Sequence, residues 1–128
     1  MNSRVTLIVA GIAGATGVAL GAFGAHGLKA LLIEKGTSVS WETAARYHLL
    51  HAVALFGLGI FQAQLGPRAA TLGRLIAWCW TGGILIFSGS LYLLAVLGLR
   101  WLGPITPIGG LAFILGWLLL IPAALKKD

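Results

Sequence analysis

The sequence predicts an all-α polytopic membrane protein, a four-transmembrane-helix bundle with both termini on the same side. Two observations carry the prediction. Hydrophobic residues make up 59% of the 128 positions and charged ones only 9%, with a mean hydropathy of +0.97, whereas soluble proteins carry about 25% charged residues. The apolar positions also gather into four runs of the length, roughly 20 residues, that crosses a hydrocarbon core of about 30 Å.

The spans are expected at about 5–26, 42–65, 73–98 and 106–125, forming a single transmembrane domain over residues 1–128. The first run resembles a signal peptide, but its apolar stretch exceeds the usual hydrophobic region of roughly 7 to 15 residues, so we read it as a span. For the second, Ser40 is expected to cap the helix, with Glu42 in its first turn. Gly66, Pro67 and Arg68 form the turn before the third. Thr106 is expected to cap the fourth, with Pro107 at the first helical position, and Lys126 and Lys127 to close it near the headgroups. Helices are the only reading, because a lipid-exposed backbone must satisfy its own hydrogen bonds and four continuous apolar runs do not close a barrel.

The connections are too short to hold a soluble domain. The net charge of +6 comes from basic residues scattered singly or in pairs, which argues against nucleic acid as a partner. Arg4, Arg68, Arg74, Lys126 and Lys127 fall on the side of the termini, against Lys29, Lys35, Arg46 and Arg100 on the other. By the positive-inside rule both termini are expected in the cytoplasm. The lone Cys79, between Trp78 and Trp80, excludes an intrachain disulfide and is expected to be a small buried hydrophobe. Trp41 and Trp101 fall where an aromatic belt is expected, and Trp78, Trp80 and Trp117 further in, where they would pack.

Many of the 19 glycines lie inside the spans. Each would weaken a soluble helix by about 1 kcal/mol, but in lipid small residues let helix backbones approach closely. Ala10, Gly14, Gly17, Gly21 and Ala25 recur at helical spacing, and Gly17 to Gly21 is a GxxxG. Gly14, Gly17, Gly21, Gly24, Gly89 and Gly110 are therefore expected to pack helices, with Gly82, Gly83, Gly109 and Gly116 in the same role. The contact is either within the bundle or between copies in a homo-oligomer.

Alternating the direction of the spans gathers the polar residues into one half of the membrane, the outer half on the favoured orientation. His26 ends the first span. Glu42, Arg46, Tyr47, His48 and His51 occupy the first turns of the second, Ser88, Ser90 and Tyr92 lie late in the third, and Thr106 opens the fourth. Ionisable groups within a span usually face the bundle or water, so His26, Glu42, Arg46, Tyr47, His48, His51, Ser88 and Tyr92 form the candidate ligand-binding set. Glu42 and Arg46, four apart, suit an ion pair or headgroup contact. The HxxH of His48 and His51, with His26 as a third ligand, permits a metal. Histidines bonding across transmembrane helices are the commoner use, and no metal or cofactor is expected. Nor is a catalytic residue: there is no acidic pair, no serine with an evident histidine and aspartate, and no phosphate-binding loop.

Four stretches carry a family resemblance: GAFGAHGL at 21–28, WETAARYHLLHAVAL at 41–55, GILIFSGSLYLLAVLG at 83–98 and GPITPIGGLAFILGWLLL at 103–120. On these the chain resembles the YgdD and YwdK family of small bacterial membrane proteins. The resemblance implies a multi-pass protein of the bacterial inner membrane and implies no activity, since the family is one of unknown function. The first expectation is a non-enzymatic integral membrane component that packs with itself, with membrane lipids or with a larger membrane complex. The alternative is a site for a lipid headgroup, quinone or metal ion in the outer half of the bundle, and a weaker one is a small transporter.

Overall fold

The computed structural model describes residues 1–125, the Arg68 side chain excepted; Lys126 and Lys127, read as closing the last helix, lie outside them. It contains α1 (Ser3–Ala25), α2 (Lys29–Lys35), α3 (Ser38–Gln62), α4 (Pro67–Gly83), a π turn (Ile84–Ser88), α5 (Gly89–Leu97), a short 3-10 turn (Arg100–Leu102) and α6 (Thr106–Leu125). Four helical stretches are long and apolar enough to cross a membrane, with α4, the π turn and α5 running together as the third. The protein is an all-α, four-span integral membrane protein.

The helix ends differ from expectation for local reasons. The second span begins at Ser38, so Ser40 is inside the helix and Glu42 is beyond its first turn. Thr37 precedes it, and its hydroxyl donates not to the helix but across to the Ala95 carbonyl of α5 at 2.9 Å. The third span starts at Pro67, whose fixed φ suits the first helical position, and ends at Gly98, which supplies the left-handed turn at φ 68°. Thr106 is the first residue of α6 rather than its cap: its hydroxyl bonds Leu102 O at 3.3 Å and Ser90 Oγ at 2.7 Å. The loop between the first two spans folds into α2, which buries Leu32 against Trp41 and Ala95 and leaves Glu34 and Lys35 exposed.

Packing follows the pairing of large residues with glycines. Lipid tails are as apolar as leucine side chains, so helices associate by close van der Waals contact and hydrogen bonds rather than by escape from water. Between the third span and α6, Trp80 lies on Gly116, Phe113 on Gly83 and Phe87 on Gly109, and Ser90 meets Thr106 one step further on. A large residue on one helix thus faces a glycine on its antiparallel neighbour at each step. Between α1 and α3 the same rule places Leu7 on Gly59, Leu49 on Gly17 and Trp41 on Gly24. Ala10, Ala13, Leu55, Ile76, Trp80 and Phe113 join in one core between the spans.

This corrects several glycine assignments. Gly17 and Gly24 pack α1 on α3, and Gly110 makes an ordinary contact with Phe87 at 3.7 Å. A Cβ on Gly14, Gly21, Gly82 or Gly89 would meet nothing within 4 Å, so these four bring no helices together within the chain. The GxxxG is split, with Gly17 facing α3 and Gly21 facing open space. Trp41, expected in an interfacial belt, is buried at 4% exposure and donates to Leu20 O at 2.9 Å, whereas Trp78, expected in the packing, is 61% exposed. Cys79 is half-buried rather than buried.

Candidate functional site

The polar cluster is built around the two histidines of α3, which one helical turn of three residues points into different seams. His48 faces α1 and α5. Its Nδ1 lies 3.2 Å from the Tyr92 hydroxyl and its Nε2 3.4 Å from Thr16 Oγ1. Thr16 already donates its one proton to Ile12 O at 2.8 Å, so it accepts from His48. The chain then runs in one direction, from Tyr92 O–H to Nδ1 and from Nε2–H to Thr16, which fixes the Nε2–H tautomer.

His51 faces α6 and carries the opposite tautomer. The Trp117 indole N–H donates to Nε2 at 3.1 Å, so the proton sits on Nδ1 and is donated to Tyr47 O at 2.8 Å. The ring is 2% exposed and stacks on Phe113 with centroids 3.6 Å apart and planes 11° from parallel. Trp80 and Trp117 close the pocket edge-on, and Trp80 donates to Phe113 O at 3.3 Å.

The hydroxyls do the same work between other pairs. Ser88, in the π turn, donates to Ala44 O of α3 at 2.8 Å, and Ser90 joins α5 to Thr106 of α6. Each such bond crosses between helices, where one in a membrane contributes about 0.6 kcal/mol on average and at most about 1.7. The π turn, which no periodicity signalled, sets the backbone of Phe87 against Gly109.

The expected ligand set therefore does not form one site. His48, His51, Ser88 and Tyr92 come together as interhelical bonds, whereas His26, Glu42, Arg46 and Tyr47 are on the exposed surface. Arg46 and Tyr47 line a small outward recess of about 210 Å³. Glu42 instead lines a larger cavity between α1, α2 and α3, so the expected Glu42–Arg46 ion pair is absent among the described residues. His26 lies at the end of α1 and is not gathered with the other two histidines; no three metal-ligating side chains cluster among the described residues. Among the described residues, Gln62 Oε1 and Thr81 Oγ1 are buried without a partner. Gln62 donates its amide to Gly73 O at 2.9 Å at the opposite end of the bundle.

The cavity that sequence reasoning missed holds about 410 Å³ and is lined by Gly21, Gly24, Lys29, Ser38, Trp41 and Glu42 among others. The signals for it were present: the amphipathic spacing of α2, with Leu32 inward and Glu34 and Lys35 outward, and a glycine with no partner at 21.

Comparison with known proteins agrees with the architecture. Residues 20–110 match the family described as "Protein of unknown function (DUF423)". The chain is 41% identical over 125 residues to the UPF0382 membrane protein YwdK of Bacillus subtilis, covering 96% of this chain and 98% of that one. It is 42% identical to a UPF0382 membrane protein of Staphylococcus epidermidis over 96% of this chain and 97% of that one. To the UPF0382 inner membrane protein YgdD of Escherichia coli K12 it is 37% identical over 98% and 93%. No solved structure matches. With the family model matching residues 20–110 and relatives 37–42% identical over nearly the whole chain, the chain belongs to the DUF423 family of membrane proteins of unknown function.

Proposed function

We propose that the protein is a non-enzymatic structural component of the bacterial inner membrane, a small helical module that associates with a second copy of itself. The observation that supports this best is the fate of the polar cluster: both nitrogens of His48 and of His51 and the hydroxyls of Ser88, Ser90, Tyr92 and Thr106 are engaged by protein partners. Groups held in this way have committed their protons to protein partners rather than to a substrate. The bundle also offers an apolar surface outward. Gly11, Gly14 and Val18 of α1 and Val53 and Phe56 of α3 line a groove of about 550 Å³, with open space at Gly11 and Gly14, the kind of small-residue surface on which a further helix seats closely.

Native mass spectrometry from mild detergent is expected to give a discrete oligomer that Gly14→Leu dissociates without unfolding the chain. A monodisperse monomer for the wild type overturns the reading.

The inner-membrane placement is supported by the naming of the YgdD relative, and we place both termini in the cytoplasm on the distribution of basic residues. With Cys79 replaced, a cysteine at exposed Glu34 is expected to label from outside intact cells and one at exposed Gln64 to be protected. The reverse pattern inverts the orientation.

A further inference from the structure

We infer that the cavity between α1, α2 and α3 is a binding site for a zwitterionic phosphoethanolamine headgroup. Its place comes first: it lies where α1 ends and α3 begins, beside the short helix that caps this end of the bundle, and so at the depth of lipid headgroups. Its volume of about 410 Å³ is within the range of roughly 300–1,000 Å³ typical of small-ligand sites.

Its charges decide the class. Lys29 and Glu42 both line the cavity, from α2 and α3, without forming an ion pair with each other. A cation and an anion on opposite elements around one cavity match a ligand that carries both signs. The Lys29 ammonium would take the phosphate and the Glu42 carboxylate the ligand's ammonium, each as a charge-assisted hydrogen bond. An anionic headgroup lacking an amine would satisfy Lys29 and face Glu42 with like charge, so the pair selects against it. The rest of the wall suits the start of the lipid's apolar part: Leu32, Ile33, Ala25 and Ala45 surround the polar groups, and Trp41, held by its bond to Leu20 O, fixes one side. Gly21 makes the room, since a Cβ there would meet no atom within 4 Å.

The inference is separate from self-association, which uses the groove around Gly11 and Gly14. The test uses full-length, delipidated protein titrated with short-chain phosphatidylethanolamine, short-chain phosphatidylglycerol and free glycerophosphoethanolamine, with bound adducts read by native mass spectrometry. The ethanolamine lipid is expected to bind at least about five-fold more tightly than the glycerol lipid, a ratio equal to about 1 kcal/mol. Glu42→Gln is expected to bring the ratio to one or below, and Lys29→Gln to weaken both lipids. Gly21→Leu, which places a side chain where the glycine leaves open space at Cβ, is expected to abolish binding while circular dichroism and oligomeric state stay unchanged. Binding of free glycerophosphoethanolamine as tight as that of the lipid supports the zwitterion chemistry and assigns its source to a solute. Equal binding of the two lipids by the wild type, or a ratio that survives Glu42→Gln, overturns the inference.

Discussion

Gly109→Ala is expected to be the most damaging small substitution in the protein. A methyl group at this position would collide with the backbone nitrogen of Phe87 and lie 2.8 Å from its Cα. Backbone cannot rotate out of the way as a side chain can. The π turn that carries Phe87 would have to move, or α6 would have to withdraw along the whole line of contacts that Gly83–Phe113 and Gly116–Trp80 continue. Overpacking of a close-packed interior typically costs about 1–3 kcal/mol, and the backbone clash places Gly109 at the upper end, about 3 kcal/mol. Gly89→Ala, in the third span with open space at its Cβ, is expected to be neutral or slightly stabilising through helix propensity. Reversible unfolding in mixed micelles, followed by circular dichroism, compares the two; equal stability of both variants would contradict the packing described.

His51→Ala is expected to cost about 2–4 kcal/mol, and His51→Phe only about 1. The two substitutions separate packing from hydrogen bonding. Both remove the bond from Trp117 and the bond to Tyr47 O, each of which contributes about 0.6 kcal/mol on the average for membrane interiors. Only alanine also removes the ring that stacks on Phe113 at 3.6 Å and leaves a cavity behind, and large-to-small changes of this kind cost several kcal/mol. The same unfolding measurement reads the difference. If phenylalanine is as damaging as alanine, the polar bonds rather than the stacking hold α3 to α6.

Much of this was legible in the sequence. The four spans came from run length alone, because lipid imposes helices on any apolar stretch of that size, and the gathering of polar residues in one half came from alternating the direction of the spans. The helix starts were less legible. Ser40 and Thr106 read as caps, but the second span starts at Ser38 and the hydroxyls of Thr37 and Thr106 bond neighbouring helices or the preceding turn, and a linear sequence does not say which partner is nearer.

The glycines show the limit most clearly. Regular spacing suggested Gly14 and Gly21 as contacts, whereas the operative pattern is a correspondence between two helices. Trp80, Gly83 and Phe87 step by three and four, and Gly109, Phe113 and Gly116 step by four and three, so that reversed they match large to small. That signal lies in pairs of segments and is invisible within either one. The cluster was likewise found by position but misassigned by grouping, because HxxH spacing puts two histidines a turn apart while their ring directions diverge toward different helices.

The central claim, that the buried histidines are bonds between helices rather than ligands, is tested most directly by ¹⁵N NMR of the imidazole nitrogens in selectively labelled protein at neutral pH, with and without added zinc. The account predicts a protonated Nδ1 and an accepting Nε2 for His51, the reverse for His48, and no change in either ring with the metal. The same tautomer at both residues, or ring shifts on adding zinc that vanish in a His48→Ala, His51→Ala variant, would contradict it.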